Sequence, residues 1–416
     1  MTVKLFRNAR IYTPEGDSPS VGAKQGEIRV LEEGTLLAKD GIIEAVGSED
    51  EVLSHPLCKE ADEEIDCEGR CVIPGFVDPH THMCFAARRE EEFSMRLAGA
   101  AYLDILKKGG GILSSVRHVH ASSEQELFET TRALAMSALS FGTTTVEMKS
   151  GYGLDTESEL KMLSVIRRVG RETPLRVVPT FMGAHAIPEA YRGNGDGYVD
   201  MMIEEMLPAV ARQGIAAFSD VFCEEGVFSA DQTRRLLLES RRHGLGLKVH
   251  ADEVHDTGGA SLAAELGAIS AEHLLAASDD GIEALAAAGT IAVLLPATAY
   301  SLRKPYARAR TMIERGVAVA LATDCNPGSC FTESMPFVFG LGVMAMGLTV
   351  EEALTATTKN SAHAIGLDGE CGTLEPGKNA DLLVLDGESP AILAYHAGVS
   401  PVKRVYKKGE RVACTA

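Results

Sequence analysis

The chain has 416 residues, 45% hydrophobic and 24% charged, which is enough apolar material for a large core. Its 40 basic and 59 acidic residues leave a formal charge of −19, which argues against nucleic acid or an anionic membrane as partner. An anionic small molecule is not excluded, since one local Arg or Lys would suffice to bind it.

Nine scattered cysteines without close-spaced metal-type pairs read as reduced thiols of a cytoplasmic protein. No stretch approaches transmembrane length, and Met1-Thr2-Val3-Lys4-Leu5-Phe6-Arg7 lacks a signal-peptide pattern.

Residues 1–70 read as a small β unit of short strand-like runs, including Ala9–Tyr12, Ile28–Leu31 and Thr35–Ala38, with a hairpin expected over 35–47. From residue 71 the rhythm becomes strand, loop, helix. Strands are expected at 72–79, 143–149, 175–182, 218–223, 246–251, 268–272, 291–296 and 317–323. Helices are expected at 124–140, 156–169, 197–212, 230–242, 258–266 and 279–287, and Thr156/Glu159, Ser229/Gln232 and Thr349/Glu352 have capping-box spacing.

Eight strands alternating with helices predict a (β/α)8 TIM-type barrel over 71–365, with an open doubly wound sheet as the alternative. Strand character returns after residue 365, at Asp381–Asp386, Val402–Tyr406 and Arg411-Val412. Residues 366–416 are therefore expected to join 1–70 in a small β-sandwich domain built from both chain ends. Gly109-Gly110-Gly111 follows a helical stretch rather than a strand, so it is no dinucleotide fingerprint.

Working residues of such barrels sit at the C-terminal ends of strands. His80-x-His82 ends the first, and alternate residues of an extended segment face one way, about 7 Å apart. Lys149, His185, Glu224, His250, His273 and Asp324 follow at later strand ends. His80, His82, His250 and Asp324 make a donor set for a single zinc or iron ion. Glu253, three residues past His250, is placed to act as general base and then acid. His273 could polarise a carbonyl oxygen, which with Glu253 and Asp324 completes the catalytic group. Lys149 is on the wrong strand for a carboxylated bridge between two metals and is better read as an ion pair with Glu147 or another acid. Of Arg88-Arg89, Arg89 is chosen to clamp a substrate carboxylate. Tyr102, Tyr152 and His185 lie near the rim, and Asn326-Pro327-Gly328-Ser329 forms a turn directly after Asp324.

Gly75-Phe76-Val77-Asp78-Pro79-His80-Thr81-His82 resembles the amidohydrolase superfamily. Lys149-Ser150-Gly151-Tyr152-Gly153-Leu154, Thr180–Pro188 and Thr323–Ser329 are similar to the imidazolonepropionase family within it, across essentially the whole chain. The resemblance implies hydrolysis of 4-imidazolone-5-propanoate to N-formimino-L-glutamate in histidine degradation. It implies zinc or iron on His80, His82, His250 and Asp324, and substrate contacts at Arg89, Tyr152, His185, Glu253, Asn326, Gly328 and Ser329. Arg303–Arg308 departs from the family pattern by lacking a Pro between Tyr306 and Arg308. A deaminase of the same superfamily is the rival enzyme, and a non-catalytic barrel is the rival of another class. A homodimer is the default oligomer.

Overall fold

The computed structural model describes residues 1–99 and 110–414 and contains two sheets. Tyr102 and Gly109, with the helical stretch expected before Gly109, lie outside the described residues.

The first sheet has seven strands: β1 (Val3–Thr13), β2 (Arg29–Lys39), β3 (Ile42–Ser48), β4 (Glu63–Pro74), β13 (Leu382–Leu385), β14 (Val402–Lys407) and β15 (Glu410–Cys414). Their order is β15-β14-β13-β4-β1-β2-β3, so the two ends of the chain meet where β13 pairs antiparallel with β4. The runs expected at 28–31 and 35–38 are one strand, β2. It turns back through Asp40 and Gly41, both at positive φ, into β3. Phe6, Ile11, Leu36, Leu382 and Tyr406 are buried together on one face of this sheet.

The second sheet runs in parallel, neighbour to neighbour, through β5 (Phe76–Asp78), β6 (Thr143–Lys149), β7 (Arg176–Ala184), β8 (Phe218–Cys223), β9 (Gly246–Ala251), β10 (Ser270–His273), β11 (Ile291–Leu294) and β12 (Val319–Leu321). Between the last strand and the first, side-chain and loop bonds close the ring. Thr323 donates its N–H and Oγ1 hydroxyl to the Asp78 carboxylate, at 3.1 and 2.6 Å. The Asp324 N–H donates to the His80 carbonyl at 3.1 Å, and the His82 N–H to that of Cys325 at 3.0 Å. The seam therefore sets the two metal-type histidines beside Asp324. The chain forms a nearly closed eight-stranded parallel barrel, with the other sheet built from its ends.

Several helices pack an apolar stripe against the barrel. In Glu124–Ser140, Leu127, Phe128, Thr131, Leu134, Ala135, Ala138 and Leu139 are buried, the i, i+3/i+4 spacing of a single face. Burying each large side chain there stabilises by roughly 1.5–3 kcal/mol. Ser123 and Glu126 form its capping box.

Three local expectations change. The run 72–79 is two elements: Val72–Pro74 finish β4, and Phe76–Asp78 begin the barrel. Gly75 divides them, and a Cβ there would lie 2.3 Å from Thr144 Oγ1, which only glycine avoids. The capping box expected at Thr156/Glu159 does not form. Asp155 caps Thr156–Glu172, and Glu159 turns inward to accept the N–H groups of Gly151, Gly153 and Leu154. The helix expected over 197–212 passes through a π-helical turn, Met202–Met206, just before Pro208, whose missing N–H breaks the regular ladder.

The eight cysteines from Cys58 to Cys371 are free thiols. Among the described residues no helix is long and apolar enough to cross a membrane.

Candidate metal and active site

The predicted metal set converges at the C-terminal mouth of the barrel. Asp324 Oδ1 lies 3.6 Å from His80 Nε2 and 3.7 Å from His82 Nε2. Nε2 of His82 and of His250 are 3.2 Å apart, and one donor nitrogen from each of His80, His82 and His250 falls within 4.8 Å of the others. Donors around one tetrahedral ion at about 2.0–2.1 Å stand roughly 3.3 Å from each other. His80 is fully buried, yet neither of its ring nitrogens has a hydrogen-bond partner. Buried polar atoms rarely stay unsatisfied, so the donor set fits a bound cation.

Burial first, then Lys149 and the neighbouring imidazoles, push His80, His82 and His250 well below the ordinary histidine range. They are therefore neutral, with lone pairs available for ligation. Burial raises the Asp324 carboxyl to about 6, against the pull of His273 and the Thr298 hydroxyl. That hydroxyl donates to Asp324 Oδ2 at 2.5 Å and leaves Oδ1 facing the histidines.

Behind the ligands lies a buried charge network. Lys149 Nζ stands 2.8 Å from both Glu147 Oε1 and Asp220 Oδ2, all three fully buried. Burial opposes its charge, but Asp220 and Glu147 outweigh it and hold the ammonium above its ordinary value. Asp220 Oδ2 also lies 3.0 Å from His250 Nδ1. Lys149 is thus an ion-pair residue behind the site, as its position relative to Glu147 suggested.

Glu253 Oε2 stands 3.7 Å from His273 Nε2. Burial first, then the charge of Glu224, raises the Glu253 carboxyl to about 7. Two other carboxylates hold its loop. Asp252 accepts the N–H groups of Thr257, Gly259 and Ala260. Glu224 accepts the Val254 N–H at 2.9 Å and stands 3.0 Å from His255 Nδ1. Asp252, His273 and Asp324 all adopt positive φ, at 50°, 70° and 53°. Such backbone costs about 1–3 kcal/mol per residue and tends to cluster at functional sites.

His185 stacks on His82 with ring centroids 4.7 Å apart, and its Nδ1–H donates to the Gly151 carbonyl at 3.0 Å. Burial lowers the ring's pKa to about 4, so it is neutral. Tyr152 is buried beside both rings. Asn326 is spent within its own turn: Oδ1 accepts from the Gly328 and Ser329 N–H groups, and Nδ2 donates to the Asp324 carbonyl.

Gly328 has a further role. A Cβ there would lie 2.5 Å from Arg89 Nη1, so the guanidinium rests on the bare glycine backbone. Arg89 is also paired through Nε and Nη2 with Glu92, at 2.9 and 2.7 Å.

The sequence profile of the amidohydrolase family matches residues 71–412. An imidazolonepropionase of Syntrophobacter fumaroxidans is 63% identical over 409 residues, a match covering 98% of this chain and 96% of that one. Another, of Desulfotalea psychrophila, is 60% identical over 413 residues, covering 99% and 100%. The chain belongs to the imidazolonepropionase family of amidohydrolases.

Solved structures agree on the family's fold. A triazine hydrolase of Arthrobacter superposes with a TM-score of 0.76 at 17% identity, covering 99% of this chain and 94% of that one. A 5-methylcytosine deaminase of Klebsiella pneumoniae gives 0.75 at 18%, covering 99% and 98%. These distant likenesses bear on architecture alone. Sequence reading did not assign several residues that shape this family member's site: Asp220, Thr298, Glu159 and Glu92. Asp220 carried a signal, an acid inside the mostly apolar run of β8. Glu92 carried another, its i+3 spacing from Arg89.

Proposed function

We propose that the chain opens the ring amide of 4-imidazolone-5-propanoate with water to give N-formimino-L-glutamate. His80, His82, His250 and Asp324 would hold one zinc or iron ion, both of which suit imidazole and carboxylate donors. The chemistry such an ion supplies is acidification of a water and polarisation of a carbonyl.

This chain's own residues perform the proton work. Glu253, as carboxylate, takes the proton of the attacking water as the new O–C bond forms at the ring carbonyl carbon. It then returns that proton to the ring nitrogen as the C–N bond breaks. A carboxyl raised to about 7 can both accept and return a proton near neutrality. His273, at the adjacent strand end, would steady the developing oxyanion through a ring N–H. Arg89 takes the propanoate carboxylate, which fixes the ring's position relative to Glu253. His185 and Tyr152 would pack against the ring, and Gly328, in the turn held by Asn326, supports Arg89.

The observation that most supports this reading is the close approach of donor nitrogens from His80, His82 and His250 in a chain 63% identical to an imidazolonepropionase. The test is turnover of freshly prepared imidazolone propanoate beside a panel of amino-heterocycles. Formimino-glutamate without ammonia release from the panel is the expected result. Ammonia release with the imidazolone untouched would assign a deaminase instead.

A further inference from the structure

An arginine can grip a carboxylate along either of two edges, the side edge (Nε and Nη2) or the end edge (Nη1 and Nη2). In this chain the side edge of Arg89 is occupied. Nε donates to Glu92 Oε1 at 2.9 Å and Nη2 to Glu92 Oε2 at 2.7 Å. Both side chains are close to nine-tenths buried, at 11% and 12% exposure, so solvent screens the pair poorly. Glu92 is itself fixed, because Oε1 also accepts the Gly111 N–H at 3.0 Å. One face of the guanidinium lies on Gly328, where a Cβ would come within 2.5–2.9 Å of Nη1, Cζ and Nη2. The charge of Arg89 is felt by Tyr152 and by His185.

We infer that Glu92 is a positioning residue for substrate recognition: it holds the side edge of Arg89, so that a substrate carboxylate is gripped end-on through Nη1 and the second N–H of Nη2. This rests on the reading of Arg89 as the carboxylate clamp. A long arginine side chain has rotamer freedom to lose when it grips a ligand. A fork already anchored along one edge and one face loses little more when the ligand arrives. The substrate class that follows is an anion with a terminal carboxylate able to approach one end of the fork. A side-on carboxylate would have to displace Glu92.

The test compares Glu92→Gln, Arg89→Met and wild type in the metal-loaded protein, with kcat, KM and bound metal measured for each on imidazolone propanoate. Glu92→Gln is expected to raise KM about tenfold, the scale of a lost charge-assisted hydrogen bond, with kcat within about threefold and metal content unchanged. Gly328→Ala, which leaves Glu92 intact but lifts the guanidinium, is expected to raise KM in the same direction. An unchanged or lower KM in Glu92→Gln overturns the proposal, a lower one meaning that Glu92 competes with the substrate. A fall in kcat at constant KM overturns it too. If Arg89→Met leaves KM unchanged, the clamp reading of Arg89 itself has failed, separately from the role of Glu92.

Discussion

Asp220 Oδ2 stands 3.0 Å from Nδ1 of His250, the face of that imidazole turned away from His82. The same oxygen is 2.8 Å from the Lys149 ammonium. A carboxylate behind a ligating histidine fixes the tautomer and the ring orientation, and here the carboxylate is itself held by a buried cation. Asp220→Asn is therefore expected to weaken metal binding by about 10–100-fold. Competition against a chromogenic chelator measures this, and wild-type affinity would remove Asp220 from the ligand support.

Glu253→Gln keeps the shape of the side chain and removes its ability to accept a proton. The expected result is a kcat lower by about 10²–10⁴-fold with KM and metal content near wild type. Turnover at the wild-type rate would show that another group moves the proton.

The same substitution has a stability signature. The folded protein raises Glu253 from 4.5 to about 7, so folding favours the neutral form. The charged form then carries a folding penalty that is absent below about pH 4.5, grows as pH rises toward about 7 and is complete above it. In metal-stripped protein at pH 8, Glu253→Gln should raise Tm, the relieved penalty being up to about 3 kcal/mol. At pH 4 the two Tm values should coincide. A lower Tm for the variant at pH 8 would contradict the assigned environment. For activity the sign is opposite: the base works as carboxylate, so kcat/KM should rise with pH on the acid side.

Gly151 has φ of 103°, and a Cβ there would lie 3.0 Å from both His185 Nδ1 and the Met182 carbonyl. Gly151→Ala therefore strains its own backbone and pushes on the ring that stacks against His82. It is expected to destabilise the fold by about 1–3 kcal/mol and to raise KM. Denaturant unfolding and steady-state kinetics on the same sample check both, and unchanged values in both would show that the ring is held elsewhere.

The readable parts of the sequence were those decided locally. Ser229/Gln232 and Thr349/Glu352 do form capping boxes, since a cap needs only neighbours three residues apart. Thr156/Glu159 has the same spacing, yet Glu159 goes to the 151–154 loop and Asp155 takes the cap. The spacing cannot say that a distant loop offers three N–H groups to one carboxylate. Residues 72–77 on both sides of Gly75 are apolar because both sheets bury them, so the division at Gly75 has no hydrophobic signature. His80, His82, His250 and Asp324 were legible as candidates because they mark strand ends in a recognisable fold. Asp220 and Thr298 were missed because their partners lie 30 and 26 residues away and only the folded barrel joins them.

The most direct test of the whole account is turnover of imidazolone propanoate before chelation, after chelation and after reloading, with metal per chain measured on each sample. One ion per chain in the active protein, with activity lost and regained in step with it, is the predicted result. Equal turnover by stripped and loaded protein would contradict the convergence of His80, His82, His250 and Asp324 on a working cation.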